Sequence, residues 1–205
     1  MLRSWPATAL LASVSCIGAW PAGAVASPTP LPLKARLIER GDLPHFVPEK
    51  PTAFTSAKAW VDGNTGLTPS QASAQTARLR REGFARVLLE YLDRGQTRQT
   101  GVSWVMQLGS PHAARAELAA AFRDYRAENT AHGGSVSPYS PAAIPGARGF
   151  RVGREDDNVL FADGPFLYLV GEAWPPGADD AAAHAGFVAG VTKLYRRVHG
   201  HPAAA

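Results

Sequence analysis

Three aromatic residues beside irregular segments are the best candidates in this chain for contact with a ligand. Trp60, Tyr139 and Trp174 each adjoin a predicted loop or a proline-rich stretch. Ligand sites are concave and mainly apolar, with a few polar groups that set orientation, and loops on a rigid scaffold commonly carry binding residues. These residues are therefore the predicted ligand-binding residues. The alternative is plain core packing, where aromatic residues at strand spacing are common.

No group of residues has the spacing of a catalytic motif, so no catalytic residue is predicted. Ser103 lies in Gly101-Val102-Ser103-Trp104-Val105, which lacks the second glycine of a nucleophile elbow and falls inside a predicted strand. Its hydroxyl is expected on the outer face of that strand. The alternative function is a hydrolase whose acid and base lie far apart in sequence, such as Glu172 with Asp163 or His112.

Metal-site spacing is also missing, and no metal or cofactor is predicted. His199 and His201 flank Gly200, but the next histidine, His184, lies 15 residues earlier, about 22 Å away along one helix. The acidic run over 155–158 lacks the glycine and spacing of a calcium loop. We expect that run to form a solvated turn before a hairpin.

The first 26 residues have the pattern of an export signal. Arg3 precedes a mostly apolar stretch over 7–19, and Ala24-Val25-Ala26 supplies small residues for cleavage after Ala26. That stretch is about 13 residues, short of the roughly 20 that a membrane-spanning helix needs. The only cysteine, Cys16, lies inside the signal. The alternative is a lipoprotein in which Cys16 carries the lipid.

Size and charge indicate one domain with no nucleic-acid partner. Cleavage would remove 26 of the 205 residues and leave 179, a length that supports a single hydrophobic core. The net charge of +4 is too small to indicate nucleic-acid binding. The densest basic cluster is expected to be a solvated face, with contact to anionic lipid or wall polymer as the alternative. Its residues are Arg78, Arg80, Arg81 and Arg86.

The first half of the chain offers several signals of secondary structure. Residues 27–36 are a proline-rich lead-in, and 53–62 fit a short helix or a strand equally well. Thr68 before Pro69, with Gln71 at the third helical position, predicts a capped helix to about Glu82. Apolar residues then recur at offsets of 3, 4, 7 and 8, which predicts a second helix. They are Phe84, Val87, Leu88, Tyr91 and Leu92.

The second half predicts strands between helices. Alternation over 102–108 predicts a half-buried strand, and Ser110-Pro111 caps a helix that ends near Asn129. A loop is expected over 135–146, a strand over 149–153, and a hairpin of 158–162 and 166–172 around Asp163-Gly164. Asp179 or Asp180 caps a last helix. Its apolar face is Phe187, Val191, Leu194, Tyr195 and Val198.

This order of elements predicts a single α+β domain over 37–199, with an antiparallel or mixed sheet covered by helices and a disordered tail over 200–205.

Several short motifs resemble a known family. They are Leu37-Ile38, Gly41-Asp42-Leu43-Pro44, a strand followed by an Ala-rich helix, Ile144-Pro145-Gly146-Ala147, and a final hairpin and helix. The chain resembles the extracytoplasmic sensor-type domains of actinobacterial receptor kinases and the related small envelope lipoproteins. The resemblance implies a PsbP-like fold and a non-catalytic envelope role in binding a small molecule, lipid or wall component. It carries over no functional residue.

The sequence therefore predicts a secreted, non-enzymatic domain of the bacterial cell envelope. Its partner is expected to be a small apolar ligand, a lipid or an envelope protein, with peripheral membrane contact through the basic cluster as a further hypothesis. Besides the hydrolase, the second alternative is an interaction module, which a large exposed apolar patch would favour.

Overall fold

The computed structural model describes residues 29–44, 46–63, 67–93, 101–131, 134–154, 156–174 and 180–202. The predicted export segment, with Cys16 and the cleavage position after Ala26, lies outside these residues. Within them, no helix combines the length and the apolar character needed to cross a bilayer.

The described part of the chain forms eight strands and four α-helices. The strands are β1 (Val47–Pro48), β2 (Thr52–Phe54), β3 (Arg86–Asp93), β4 (Gly101–Gln107), β5 (Val136–Tyr139), β6 (Arg148–Val152), β7 (Asp156–Asp163) and β8 (Phe166–Ala173). The helices are α1 (Ala57–Asp62), α2 (Pro69–Arg81), α3 (Pro111–Ala131) and α4 (Asp180–Val198), and a 3-10 turn spans Leu33–Arg36. The segment left open at 53–62 thus contains most of a strand and a whole helix.

All eight strands belong to one antiparallel sheet, which confirms the predicted single α+β domain. The strand order is β1-β3-β4-β8-β7-β6-β5, and β2 also pairs with β3. The central strands pair along nearly their whole length, from Gly101 opposite Glu172 to Gln107 opposite Phe166. The sheet is open, with β5 at one edge.

Helices cover both faces of the sheet. On one face, Phe187 and Val191 of α4 pack with Leu37 and Leu43 of the N-terminal segment against inward side chains such as Phe161. On the other face, α1, α2 and α3 cover a second cluster whose members include Trp60, Leu79, Trp104 and Leu118. Because neighbouring side chains of a strand point to opposite faces, both clusters draw on the same strands.

The helix predicted from Phe84 to Leu92 is wrong, because this segment forms β3. Val87 faces the cluster under α1 to α3, whereas Leu92 faces the cluster under α4. A strand covered on both faces loses the polar residues that would reveal its alternation. Its apolar residues then fall at offsets that imitate a helical face.

The loop predicted over 135–146 is wrong in its first part, where Val136–Tyr139 forms β5. Proline cannot donate to a strand ladder, so Pro138 argued against a strand. It is tolerated here because β5 is an edge strand that pairs only with β6. The strand predicted over 149–153 is confirmed as β6.

The predictions that rest on local capping and turn chemistry are confirmed. Thr68 and Gln71 form the expected capping box at α2. The β7–β8 hairpin forms, with its turn one residue later than expected, since Asp163 pairs with Phe166. Gly164 has φ +55°, which suits the first central position of a two-residue turn where glycine is required.

The remaining elements also agree with their predicted patterns. β4 and α3 form as expected, and the Ser110 hydroxyl caps α3 by accepting a hydrogen bond from the Ala113 N–H at 3.1 Å. α4 buries four of its five predicted apolar residues, with Tyr195 half-buried. Asp179, one of the two residues proposed to cap it, lies outside the described residues.

Candidate functional site

A groove of about 590 Å³ runs between α2 and α3 over the sheet. We call it the α2–α3 groove. Its walls come from α2 and α3, and its base from α1, β4 and Leu67, two residues before α2. The residues that line it are Trp60, Leu67, Gln71, Ala74, Gln75, Arg78, Trp104, Met106, Glu117, Ala121, Asp124, Tyr125, Ala127, Glu128 and Ala131.

Glycine contacts fix the two helices that form the walls. Gly83 follows α2 and Gly109 precedes α3, and a Cβ on Gly83 would lie 2.9 Å from the Gly109 Cα. Only glycine allows two backbones to approach so closely. The Gly109 N–H also donates to the Glu82 carbonyl at 3.0 Å. The C-terminal end of α2 is thus attached to the start of α3.

The base of the groove is aromatic. Trp60 and Trp104 pack edge to face with their ring centroids 5.6 Å apart, and Phe54 supports Trp60 from behind in a similar arrangement. Tyr125 lies on the α3 wall, where burial raises the pKa of its hydroxyl to about 12. It therefore stays protonated at physiological pH. Trp60 and Trp104 are 8% and 4% exposed, so they form a rigid apolar base of which only a small part faces the groove.

Charged groups lie on the walls of the groove, and the main pair joins α2 to α3. Arg78 donates to both oxygens of Glu117, at 2.8 and 3.0 Å, and its Nη1 lies 3.1 Å from Asp124. Burial opposes the charge on Arg78, but the two carboxylates outweigh it and raise the Arg78 pKa. Glu117 is only 2% exposed, so this is a largely desolvated, two-bond pair.

Glu82 adds a further carboxyl behind this pair. Burial, reinforced by neighbouring Glu117, raises the pKa of Glu82 to about 7. Its Oε2 is buried and makes no hydrogen bond among the described residues. Glu82 also lines a smaller cavity with His112 at the start of α3. It is thus an acid of near-neutral pKa close to, but not in, the groove.

The three aromatic residues predicted to bind a ligand do not form one site. Trp60 lies in the groove, whereas Tyr139 and Trp174 lie on the opposite face of the sheet. Trp174 donates to Glu172, and the Arg151 guanidinium lies 5.3 Å from the centre of its ring. The sequence signal for all three was only the proximity of a loop, which does not distinguish one face of a sheet from the other.

A polar cluster on this opposite face centres on Asp157. The buried Asp157 carboxylate accepts a hydrogen bond from the Tyr139 hydroxyl and pairs with His184 of α4. Burial raises the Asp157 pKa, partly offset by these two partners. The solvated turn predicted for 155–158 is therefore wrong, since Asp157 lies within β7 and is fully buried. Strand alternation with Val159 and Phe161 was the signal that could have placed it inward.

The residues considered for hydrolysis lie apart. In the β7–β8 ladder, Glu172 lies opposite Asp157, whereas Asp163 lies opposite Phe166 at the other end of the hairpin. That separation is about 20 Å along the strands. His112 is the second residue of α3, which follows the end of β4 that is remote from Glu172.

Ser103 is buried, although the sequence predicted that it would be exposed. It was expected on an outer face, but it is 1% exposed and its hydroxyl accepts a hydrogen bond from the Ile38 N–H at 3.2 Å. The N-terminal segment covers this face of β4, an arrangement that no local pattern in β4 reveals.

The predicted histidine and arginine clusters have local partners. His199 contacts Asp163 at 2.9 Å, and His201 contacts the Thr29 carbonyl at 3.0 Å. Among the residues that the structure describes, no group of three or more His, Asp or Glu side chains could hold a metal ion. Arg78 lies in the groove and Arg86 donates to Gln107 at 3.0 Å.

Comparison with family models, with curated proteins and with solved structures finds no match for this chain.

Proposed function

We propose that this protein is an exported, non-enzymatic domain of the bacterial cell envelope that binds a small, mainly apolar molecule in the α2–α3 groove. The groove itself carries the proposal, because its volume of about 590 Å³ lies within the range of small-molecule sites, about 300–1,000 Å³. Trp60 and Trp104 form an apolar base, and four of the fifteen lining residues have acidic or basic side chains.

The construction of the groove supports binding without rearrangement. Both walls are regular helices, the Gly83–Gly109 contact attaches one to the other, and the Arg78–Glu117 pair joins them a second time. A site formed before the ligand arrives loses less conformational entropy on binding. These contacts favour a stable receptor site over a surface that closes around its partner.

The envelope location rests on the N-terminal pattern and on the family resemblance. Arg3, the apolar stretch and Ala26 fit an export signal, and PsbP-like sensor domains of receptor kinases lie outside the membrane. Lipidation at Cys16 remains the alternative to free secretion. Membrane fractionation of a Cys16→Ser variant distinguishes the two.

Neither alternative function gains support from the described residues. The hydrolase residues suggested by the sequence lie far apart, and Glu117, the most buried groove carboxylate, is committed to Arg78 through both oxygens. Val47 and Tyr91 are the only large hydrophobic side chains that are exposed in the described part of the chain. That is too little for the apolar patch of an interaction module.

Blocking the groove tests the proposal. Ala74 is exposed and lines the groove, whereas Ala77 is exposed on the same helix and does not. We expect the neutral apolar dye N-phenyl-1-naphthylamine to bind saturably to the wild type and to Ala77→Phe, with emission that rises on binding. Ala74→Phe should bind it about tenfold more weakly, because a phenyl ring would occupy the groove.

Circular dichroism and thermal unfolding serve as controls that both variants fold. Equal binding by the two variants would place the dye elsewhere, and no binding by the folded wild type would reject the groove as an apolar site.

A further inference from the structure

We infer that the ligand of the α2–α3 groove is an organic cation, a molecule with an apolar or aromatic body and one amine or ammonium group. The inference rests on the proposed function and adds the chemical class of the ligand. Two independent features lead to it, the balance of charge along the groove and the aromatic rings at its base.

The balance of charge in the groove is negative. Four acidic or basic side chains line it, the guanidinium of Arg78 and the carboxylates of Glu117, Asp124 and Glu128. One positive and three negative charges leave two negative charges in excess. The whole chain carries a net charge of +4, so the sign in the groove is opposite to that of the molecule.

Arg78 is not free to receive an anionic ligand. Three of its nitrogens face carboxylate oxygens, at 2.8 and 3.0 Å for Glu117 and 3.1 Å for Asp124. An anion could bind Arg78 only by displacing a two-bond carboxylate partner, Glu117, that is itself almost fully buried. Leaving that carboxylate without its partner is costly. A carboxylate or phosphate ligand is therefore disfavoured.

Glu128 is the carboxylate best able to meet a ligand's positive group. It lies on α3 three residues after Tyr125, is exposed to solvent, and makes no ion pair among the described residues. A cation at this position would gain a partner without breaking any of the ion pairs formed among the described residues. Asp124 lies one helical turn earlier on the same wall.

The aromatic base favours the same class of ligand. A cation over the face of an aromatic ring is attracted by the ring quadrupole, most strongly by tryptophan. Trp60, Trp104 and Tyr125 all line the groove. The raised pKa of Tyr125 keeps its ring neutral. Apolar contact and attraction for a positive charge thus act in one place.

Three probes that share one ring system test the charge preference. They are 2-(2-naphthyl)ethylamine, 2-(2-naphthyl)ethanol and 3-(2-naphthyl)propanoate, measured by isothermal titration calorimetry at low salt. We expect the amine to bind about fivefold or more tightly than the alcohol and the carboxylate to bind most weakly. Added salt should reduce the advantage of the amine.

Two variants that each remove one negative charge test whether Glu128 causes the preference for the amine. Glu128→Gln should weaken binding of the amine about twofold to fivefold and leave binding of the alcohol unchanged. The matched control is Glu49→Gln, an exposed glutamate between β1 and β2 and outside the groove, which should change neither.

The outcomes separate this inference from the proposed function. Equal binding of amine and alcohol, or tighter binding of the carboxylate, with loss of binding in Ala74→Phe, would overturn the cation class and keep the groove. Binding of any probe that is indifferent to Ala74→Phe would overturn both. An amine preference that Glu128→Gln leaves intact would also overturn the inference as argued.

Discussion

Glu90 places a carboxyl under the N-terminal segment, on the α4 face of the sheet. It is 4% exposed, and its Oε1 makes no hydrogen bond among the described residues. Burial raises the pKa of Glu90 to about 8, although nearby Lys34 and Arg197 lower it and Asp42 and Glu39 raise it further. At neutral pH this carboxyl is therefore mostly protonated in the folded protein.

This shift makes stability depend on pH. Because the folded pKa lies above the unfolded one, the contribution of Glu90 is complete below about pH 4.5 and is lost as the pH rises towards 8. Within that window, the free energy of unfolding should fall by up to about 1.4 kcal/mol per pH unit through this group. Glu90→Gln should remove that part of the slope and be more stable than the wild type at pH 8.

Urea denaturation between pH 5 and pH 8.5 measures the difference in slope between the two proteins, with exposed Glu49→Gln as the control. Parallel slopes for Glu90→Gln and the wild type would show that Glu90 titrates normally.

At the scale of an element, α4 depends on one glycine for its close contact with the N-terminal segment. A Cβ on Gly190 would lie 2.4 Å from the Leu43 Cδ2 and 2.6 Å from the Asp42 carbonyl oxygen. The backbone oxygen cannot move aside as a side chain can. Gly186, one turn earlier on the same helix, has nothing within 4 Å of its Cβ position.

The two glycines of α4 should therefore respond in opposite directions to alanine. Gly190→Ala is expected to destabilise the protein by about 1–3 kcal/mol through overpacking. Gly186→Ala should stabilise it by about 0.5–1 kcal/mol, because alanine is the better helix former. Thermal unfolding of the two variants checks both signs, and a stabilising Gly190→Ala would contradict the close contact.

Elements that depend on contacts between residues a few positions apart were predictable from the sequence. Elements that depend on pairing with distant strands were not. The capping box of α2 and the β7–β8 turn involve residues a few positions apart, so the sequence contains the whole interaction. β3 has the same apolar residues as a helical face would have. Its pairing with β4 on one side and with β1 and β2 on the other makes it a strand, and those pairings join positions that are not local in sequence.

At the scale of the whole molecule, one buried arginine connects the two ends of the described chain. Arg36 is fully buried, and its guanidinium donates to the Tyr168 hydroxyl at 2.9 Å and to the His201 and Pro202 carbonyls at 2.6 Å. Its Cζ lies 3.9 Å from the centre of the Phe166 ring. The lead-in over 27–36 thus contains a core residue, and the His201 and Pro202 carbonyls that it binds belong to the segment over 200–205.

Removal of this guanidinium should loosen both ends together. We expect Arg36→Leu to lower the free energy of unfolding by about 2–4 kcal/mol, because the Tyr168 hydroxyl and two carbonyls lose their donor inside the protein. Amide exchange should also speed up at Leu31, whose N–H donates to the Pro202 carbonyl. Exposed Arg40→Leu is the control and should change stability by less than about 0.5 kcal/mol. An Arg36→Leu protein of unchanged stability would rule out this connection.

By itself the sequence determined the class of the fold, the capped helices, the final hairpin and the aromatic character of the candidate residues. Those properties depend on residue type and short-range spacing. Tertiary structure alone decided that Trp60 lies on the opposite face of the sheet from Tyr139 and Trp174, and that Asp157 and Glu90 are buried.

The α2–α3 groove was decided at the same level. It needs Trp104 of β4 beneath Arg78 of α2 and Glu117 of α3, three residues with no pattern in common along the chain. A site of this type arises from the packing of helices on a sheet, and packing joins residues that sequence spacing does not relate.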